Sequence, residues 1–228
     1  MPDTNHTPLL EARALTASLI GDDGAVQILD GVDVVLASGE TVDVVGPSGS
    51  GKTTLLRALA RLLPGASGEL ALRGADSASL APVRWRSAVA LLPQKPAISP
   101  GTVRDNLLMP FRLKAHAAEG QPVDSELRAV LDCLGLADIA LDRDAARLSV
   151  GQQARVALAR VLLTAPAVLL LDEADAALDD ASAEAVRVAV ARFAAGGGGV
   201  VRVRHRADDG LASRRLRLEH GRLSEVAR

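Results

Sequence analysis

The 228-residue sequence predicts an α/β fold built on a mostly parallel sheet, and three stretches carry that prediction. TVDVV (41–45) reads as a buried strand running into the glycine-rich GPSGSGKTT (46–54), and TTLLRALARLL (53–63) then has leucines at helical spacing. VLLLD (168–172) is apolar up to its final carboxylate, the pattern of a parallel strand covered on both faces. VVRVRH (200–205) is a further strand, reached from a helix expected over 180–194.

The other elements follow in chain order. Residues 9–20 and 28–36 read as short apolar strands, and SGE (38–40) turns the chain into strand 41–45. PGASG stops the first helix at 63, and ELALRG (69–74) and VALLP (89–93) read as strands. From about 102 to 163 the pattern is helical: TVRDNLLM stopped by Pro110, then SELRAVLDCLGL, then a helix opened by LSVGQ (148–152). The glycines at 196–199 read as a loop, because the strand after them belongs to the core, and LRLEHGRL (216–223) closes the chain as a hairpin-like pair.

Composition narrows the function. With 26 basic and 28 acidic residues interleaved, the net charge of −2 offers neither a nucleic-acid glove nor a polybasic membrane anchor. The single cysteine, Cys133, excludes an internal disulfide framework and a Cys-based zinc site and fits a reducing cytosol. The first residues carry acids and no basic lead into an apolar run, unlike a secretory signal. The longest apolar run, 167–171, is far short of the roughly 20 residues that span a bilayer, so any membrane part is expected on another chain. Only Trp85, Phe111 and Phe193 are aromatic, which argues against base-stacking nucleic-acid platforms.

Two motifs carry chemistry on their own terms. Gly46, Gly51, Lys52 and Thr53 match the pattern G-x-x-x-x-G-K-[ST] between a strand and a helix. Gly46, Pro47, Ser48, Gly49, Ser50 and Gly51 with the helix start at Lys52, Thr53 and Thr54 form the candidate nucleotide-binding loop, whose backbone N–H groups, Pro47 having none, can turn onto phosphate oxygens. Lys52 is placed to reach the β and γ phosphates, and the Thr53 hydroxyl to meet Mg²⁺. Asp172, ending an apolar strand, is placed to hold Mg²⁺, and Glu173 to orient an attacking water.

With four further motifs in the same order, the chain resembles the ABC-type ATPases, the nucleotide-binding modules of ATP-binding cassette systems, along nearly its whole length. Gln94 in LLPQKP resembles the Q-loop glutamine, LSVGQ the LSGGQ signature, AALD (176–179) the D-loop, and His205 the switch histidine. The resemblance implies a P-loop NTPase fold, with a RecA-like core, a small antiparallel β subdomain and a helical subdomain at about 97–163, in one domain over 1–228. It implies ATP and Mg²⁺, the latter reached by Thr53, Gln94 and Asp172. It implies a head-to-tail homodimer closed by ATP, in which Ser149, Gly151 and Gln152 of one copy and Asp179 of the D-loop complete the site of the other. Glu173, His205 and Lys52 are then the catalytic residues.

Several positions depart from the family. Val150 replaces the first signature glycine, which is tolerable where φ is helical or extended and the side chain points away from phosphate. No aromatic occurs from Met1 to Arg84 to stack on adenine, leaving Leu19, Ile20 or Val26 to provide an apolar face. Asp43 sits in a strand that should be buried, so it needs a partner or a solvent-facing position. Arg204 and Arg206, flanking His205 where small or acidic residues are commoner in the family, read as surface charges in preference to a source of positive charge near the γ phosphate. His6, His116 and His220 match nothing and read as surface residues, and Cys133 as core.

The resemblance is to the bacterial type of transporter subunit, working with a separate multi-span permease at the cytoplasmic face of the membrane. SPGTVRDNLLMPFRLK (99–114) is weakly similar to the branch linked to iron export. The alternative is a soluble ATPase without transport, such as one of iron-sulfur cluster assembly. A switch that does not hydrolyse is disfavoured by the presence of Lys52, Asp172, Glu173 and His205 together.

Overall fold

A computed structural model describes residues 7–21, 24–116, 120–176, 178–204 and 208–226. β1 (Leu10–Gly21) and β2 (Gly24–Leu36) form a long antiparallel pair, and β4 (Ser67–Leu72) and β5 (Ala75–Asp76) extend it into a sheet of order β2-β1-β4-β5. The second sheet has the order β10-β9-β3-β8-β7-β6. In it β3 (Thr41–Val45), β6 (Val89–Leu92), β7 (Val168–Asp172), β8 (Gly199–Val203) and β9 (Arg214–Glu219) run parallel, and β10 (Arg222–Val226) returns antiparallel on β9. The helices are α1 (Lys52–Leu59), α2 (Pro82–Ala88), α3 (Val103–Leu108), α4 (Asp124–Cys133), α5 (Val150–Leu163) and α6 (Asp180–Ala195).

The all-apolar reading of residues 168–172 has its cause in two apolar clusters that flank the parallel sheet. Leu170 of β7 and Val201 of β8 join α1, β1, β2 and Trp85 on one side; Leu169, Leu171 and Val200 join α3 to α6 on the other. Each buried Leu or Val adds roughly 1.5–3 kcal/mol relative to exposure, so a central strand tolerates no polar face without a partner.

Three boundaries differ from the sequence expectation. α1 ends at Leu59 rather than near 63, because Arg61 turns left-handed (φ 54) and sends its guanidinium to the carbonyls of Ser77 and Leu80. Helix α2 has no counterpart in the sequence reading. It is too short to show a helical period, yet it buries Trp85 fully and hands the indole N–H to the Leu59 carbonyl at 2.8 Å. β2 begins at Gly24 rather than 28, since hairpin pairing with β1 carries even the exposed residues into the ladder.

Candidate active site

Four chain segments leave the parallel sheet at the C-terminal ends of β3, β6, β7 and β8, where ligand crevices form in open α/β sheets. After β3 the loop of residues 46–51 needs two of its glycines for definite reasons. A Cβ on Gly46 would lie 2.3 Å from the Leu218 carbonyl oxygen, and Gly51, at φ 99, would press one within 2.6 Å of Ile28. Gly51 starts α1 with no side-chain cap, leaving the first-turn N–H groups to be satisfied from outside the helix. Lys52 is buried; two of its three donors go to the carbonyls of Gly46 (2.9 Å) and Pro47 (2.8 Å), which closes the loop over the ammonium.

At the end of β7 the Thr53 hydroxyl donates to Asp172 Oδ2 at 2.9 Å. Asp172 Oδ1 and Ser50 Oγ are buried without a hydrogen-bond partner among the described residues, which is unusual for polar atoms and marks a site completed by something else. Burial pushes the Asp172 carboxyl above its ordinary value; the Thr53 hydrogen bond opposes this and the neighbouring Glu173 charge adds to it. A cation would remove that penalty. Among the described residues no three His, Cys, Asp or Glu side chains gather around one point. The donor set of one carboxylate and one hydroxyl therefore suits Mg²⁺, which takes few protein ligands and completes its shell with phosphate and water oxygens.

Glu173 has a left-handed backbone (φ 51), a conformation that costs a non-glycine residue on the order of 1–3 kcal/mol and survives only where surroundings impose it. Here its N–H donates to the Val203 carbonyl at 3.0 Å, and its side chain accepts from Gln94 Nε2 at 2.8 Å. The loop after β6 thus meets the loop after β7. His205 and Arg206 lie outside the described residues, as does Ala177 of the AALD segment. Asp179 caps α6, accepting from the Ser182 N–H (2.8 Å) and hydroxyl (3.0 Å), and these bonds hold its carboxyl below the usual range.

The LSVGQ segment starts α5 with a capping box. Ser149 accepts from the Gln152 N–H at 3.2 Å, and Gln152 Oε1 accepts from the Ser149 N–H at 3.0 Å. Val150 is the first helical residue and its side chain is 72% exposed, the arrangement under which valine is tolerable there. Gly151 follows within the first turn. Leu19 and Val26 are cross-strand partners of β1 and β2, and both stay exposed as an apolar pair; the Ile20 side chain lies outside the described residues.

Asp43 has the partner its burial demanded. Arg202, opposite it on β8, donates to both its oxygens at 2.7 and 3.1 Å, and burial still draws the Asp43 carboxyl upward against those bonds. The expectation that Arg204 is a surface charge is corrected: it is buried, with Nε and Nη2 on Asp175 Oδ2 at 3.1 and 2.9 Å. The alternation of VVRVR was the missed signal, since it puts Arg202 and Arg204 on one face of a buried strand, where only carboxylates can balance them. His116 is likewise not on the surface; it is buried, with its ring tilted 57° against Phe111 at 6.0 Å. His220 is exposed, Cys133 is half-buried against the helical cluster, and His6 lies outside the described residues.

Comparison with known proteins bears on this geometry. Residues 29–176 match the family described as ABC transporter. Over 186 residues the chain is 40% identical to Protein STAR1 of Oryza sativa subsp. japonica, an overlap of 82% of this chain and 52% of that protein. It is 35% identical over 188 residues to the probable iron export ATP-binding protein FetA of Escherichia coli (strain K12), covering 82% of this chain and 80% of that one. The chain therefore spans about half the length of the rice relative and four fifths of the bacterial one. A solved ATP-binding subunit of an ABC transporter shares the fold, with a TM-score of 0.81 over 96% of this chain and 90% of that chain at 22% identity.

Proposed function

The chain belongs to the ABC transporter family, and from that premise we propose that it is the ATP-binding and ATP-hydrolysing subunit of a transporter whose membrane-spanning part is a separate permease. The observation that carries the reading is the meeting of Thr53 with Asp172 and of Gln94 with Glu173 at one edge of the parallel sheet, beside the glycine-rich loop. A phosphate-binding loop, a metal-binding carboxylate and a held base lie together there.

In this reading the loop N–H groups of residues 46–54 and the Lys52 ammonium bind the triphosphate, with Lys52 exchanging loop carbonyls for β and γ oxygens. Thr53, Asp172 and Gln94 hold Mg²⁺, which neutralises charge developing on the phosphates. Glu173 orients the attacking water and accepts its proton, and His205 supports that water. Ser149, Gly151 and Gln152 of a second copy close over the γ phosphate, with Asp179 at the same junction, so that the working unit is a head-to-tail dimer. Ser149 can serve both as cap and as phosphate ligand, because closure brings phosphate to a helix N-terminus already carrying the right polarity. Gln94 passes the state of the γ phosphate to the permease at the cytoplasmic face of the membrane. The likeness to a protein named for iron export agrees with the 99–114 resemblance, while cargo belongs to the permease.

Replacing Glu173 by Gln keeps the side-chain volume and removes the base. We expect hydrolysis to fall by about 10²–10⁴ and an ATP-bound dimer to accumulate in size-exclusion chromatography. Hydrolysis at the wild-type rate would overturn the assignment of the base.

A further inference from the structure

We propose that Arg204 is a positioning residue for Glu173, acting through Asp175; the proposal rests on the reading of Glu173 as the base. Arg204 follows the last residue of β8, and its side chain is 8% exposed. Its Nε and Nη2 both reach Asp175 Oδ2, and Nη1 lies 2.8 Å from Asp209 Oδ2, close but not aligned as a hydrogen bond. Arg202, two residues earlier on the same face, donates to both oxygens of Asp43 and to both of Asp209. Burial alone would lower the Arg202 guanidinium, yet its bonds to Asp209 and Asp43 hold it above its ordinary value. Asp43, Arg202, Asp209, Arg204 and Asp175 thus form a continuous chain of charges, with Asp43 and both arginines buried and Asp175 and Asp209 half-buried, from the strand that leads into the glycine-rich loop to the loop that carries Glu173.

Stability alone is a poor reason for such a chain, because desolvating ion pairs offsets most of their attraction and apolar residues of similar volume serve as well. What the chain does provide is a fixed direction. β8 grips the loop after β7 at two points, by the Val203 carbonyl on the Glu173 N–H and by the Arg204 fork on Asp175. From Asp175 the turn continues through Ala176 N–H to the Glu173 carbonyl (3.1 Å) and Leu178 N–H to the Asp175 carbonyl (3.3 Å). On the α6 side Asp175, Arg202, Arg204 and Asp209 line a cavity of about 200 Å³, so on that face the charges meet one another rather than apolar side chains. The Arg204–Asp175 ion pair thus adds a third restraint, beside the Val203 carbonyl and the Gln94 amide, on the left-handed Glu173 whose carboxylate faces the site.

The test measures ATP hydrolysis per nucleotide-binding site, titrated with a fluorescent ATP analogue so that loss of folded protein does not enter. Asp175→Asn, which keeps the shape and removes the charge, should lower kcat about tenfold or more, with KM and the analogue Kd within about threefold, as misplacement of a base does. Arg204→Lys, which keeps the charge and loses the fork, should fall between wild type and Asp175→Asn. Asp43→Asn breaks the far end of the same chain; it should lower the melting temperature and leave kcat within about twofold. A wild-type kcat in Asp175→Asn, or an equal loss in Asp43→Asn, overturns the proposal. Glu173→Gln measured alongside separates the two readings: full hydrolysis there sinks the base assignment, whereas loss there beside an unaffected Asp175→Asn sinks only the positioning role.

Discussion

Val150 illustrates how backbone conformation decides what a substitution means. A glycine at that place is required only if φ is positive, and the residue is helical with its side chain in solvent. The helix start is also self-sufficient, since Ser149 and Gln152 satisfy each other. We therefore expect Val150→Gly to change helix stability by no more than about 0.5 kcal/mol and ATP-driven dimerisation of the Glu173→Gln variant by less than about threefold, read by sedimentation equilibrium or chromatography. A tenfold gain, about 1.4 kcal/mol, would show the valine to obstruct closure. Asp172 and Glu173 differ in environment: the first is buried with one oxygen lacking a hydrogen-bond partner among the described residues, and the second is half-buried and held by the Gln94 amide.

At the scale of elements, α3 shows how a short helix is made definite. Thr102 accepts from the Asp105 N–H at 3.1 Å, and Asp105 Oδ2 accepts from the Thr102 N–H (3.1 Å) and hydroxyl (2.7 Å) while Oδ1 takes Arg112. The Thr102 hydroxyl foremost, then Arg112, lowers the Asp105 carboxyl to about 2 from 3.8. Because the folded value lies below the unfolded one, the stabilisation is complete above the unfolded value and fades as pH falls toward the folded one. The difference in melting temperature between wild type and Asp105→Asn should thus be largest above about pH 4 and shrink toward pH 2, in calorimetry across that range. A difference constant with pH would rule the carboxylate out as the source. Elements without such signals were the ones the sequence hid: α2 is seven residues long and depends on Trp85 filling a space beneath α1.

For the whole molecule, the parallel sheet sets the Gly46–Thr54 loop, Gln94 and the Asp172–Glu173 pair at one edge, although they are spread over more than half the chain. The Ser149 helix start opens α5, whose apolar face belongs to the helical cluster, and in the function proposed above a second copy brings that start to phosphate. No helix of the described residues is long and apolar enough to cross a membrane. Under the function proposed above, the chain purified in detergent from its native cells should bring down a multi-span protein at a fixed ratio by mass spectrometry; recovery with soluble partners alone would count against transport. The sequence by itself determined the fold class, most of the strands and helices along the chain, and the glycine-rich loop and the Asp172–Glu173 pair as candidates for the site. These are local patterns: apolar runs, glycines where backbone must turn, and carboxylates ending a strand. It also required either a partner or a solvent-facing position for Asp43, since a buried charge cannot stand alone. Only the tertiary structure decided that the partner is Arg202, that Arg204 is buried on Asp175, and that Gln94 meets Glu173. Those pairings depend on which strands lie side by side, and strand order is set by the packing of two apolar clusters rather than by neighbours along the chain.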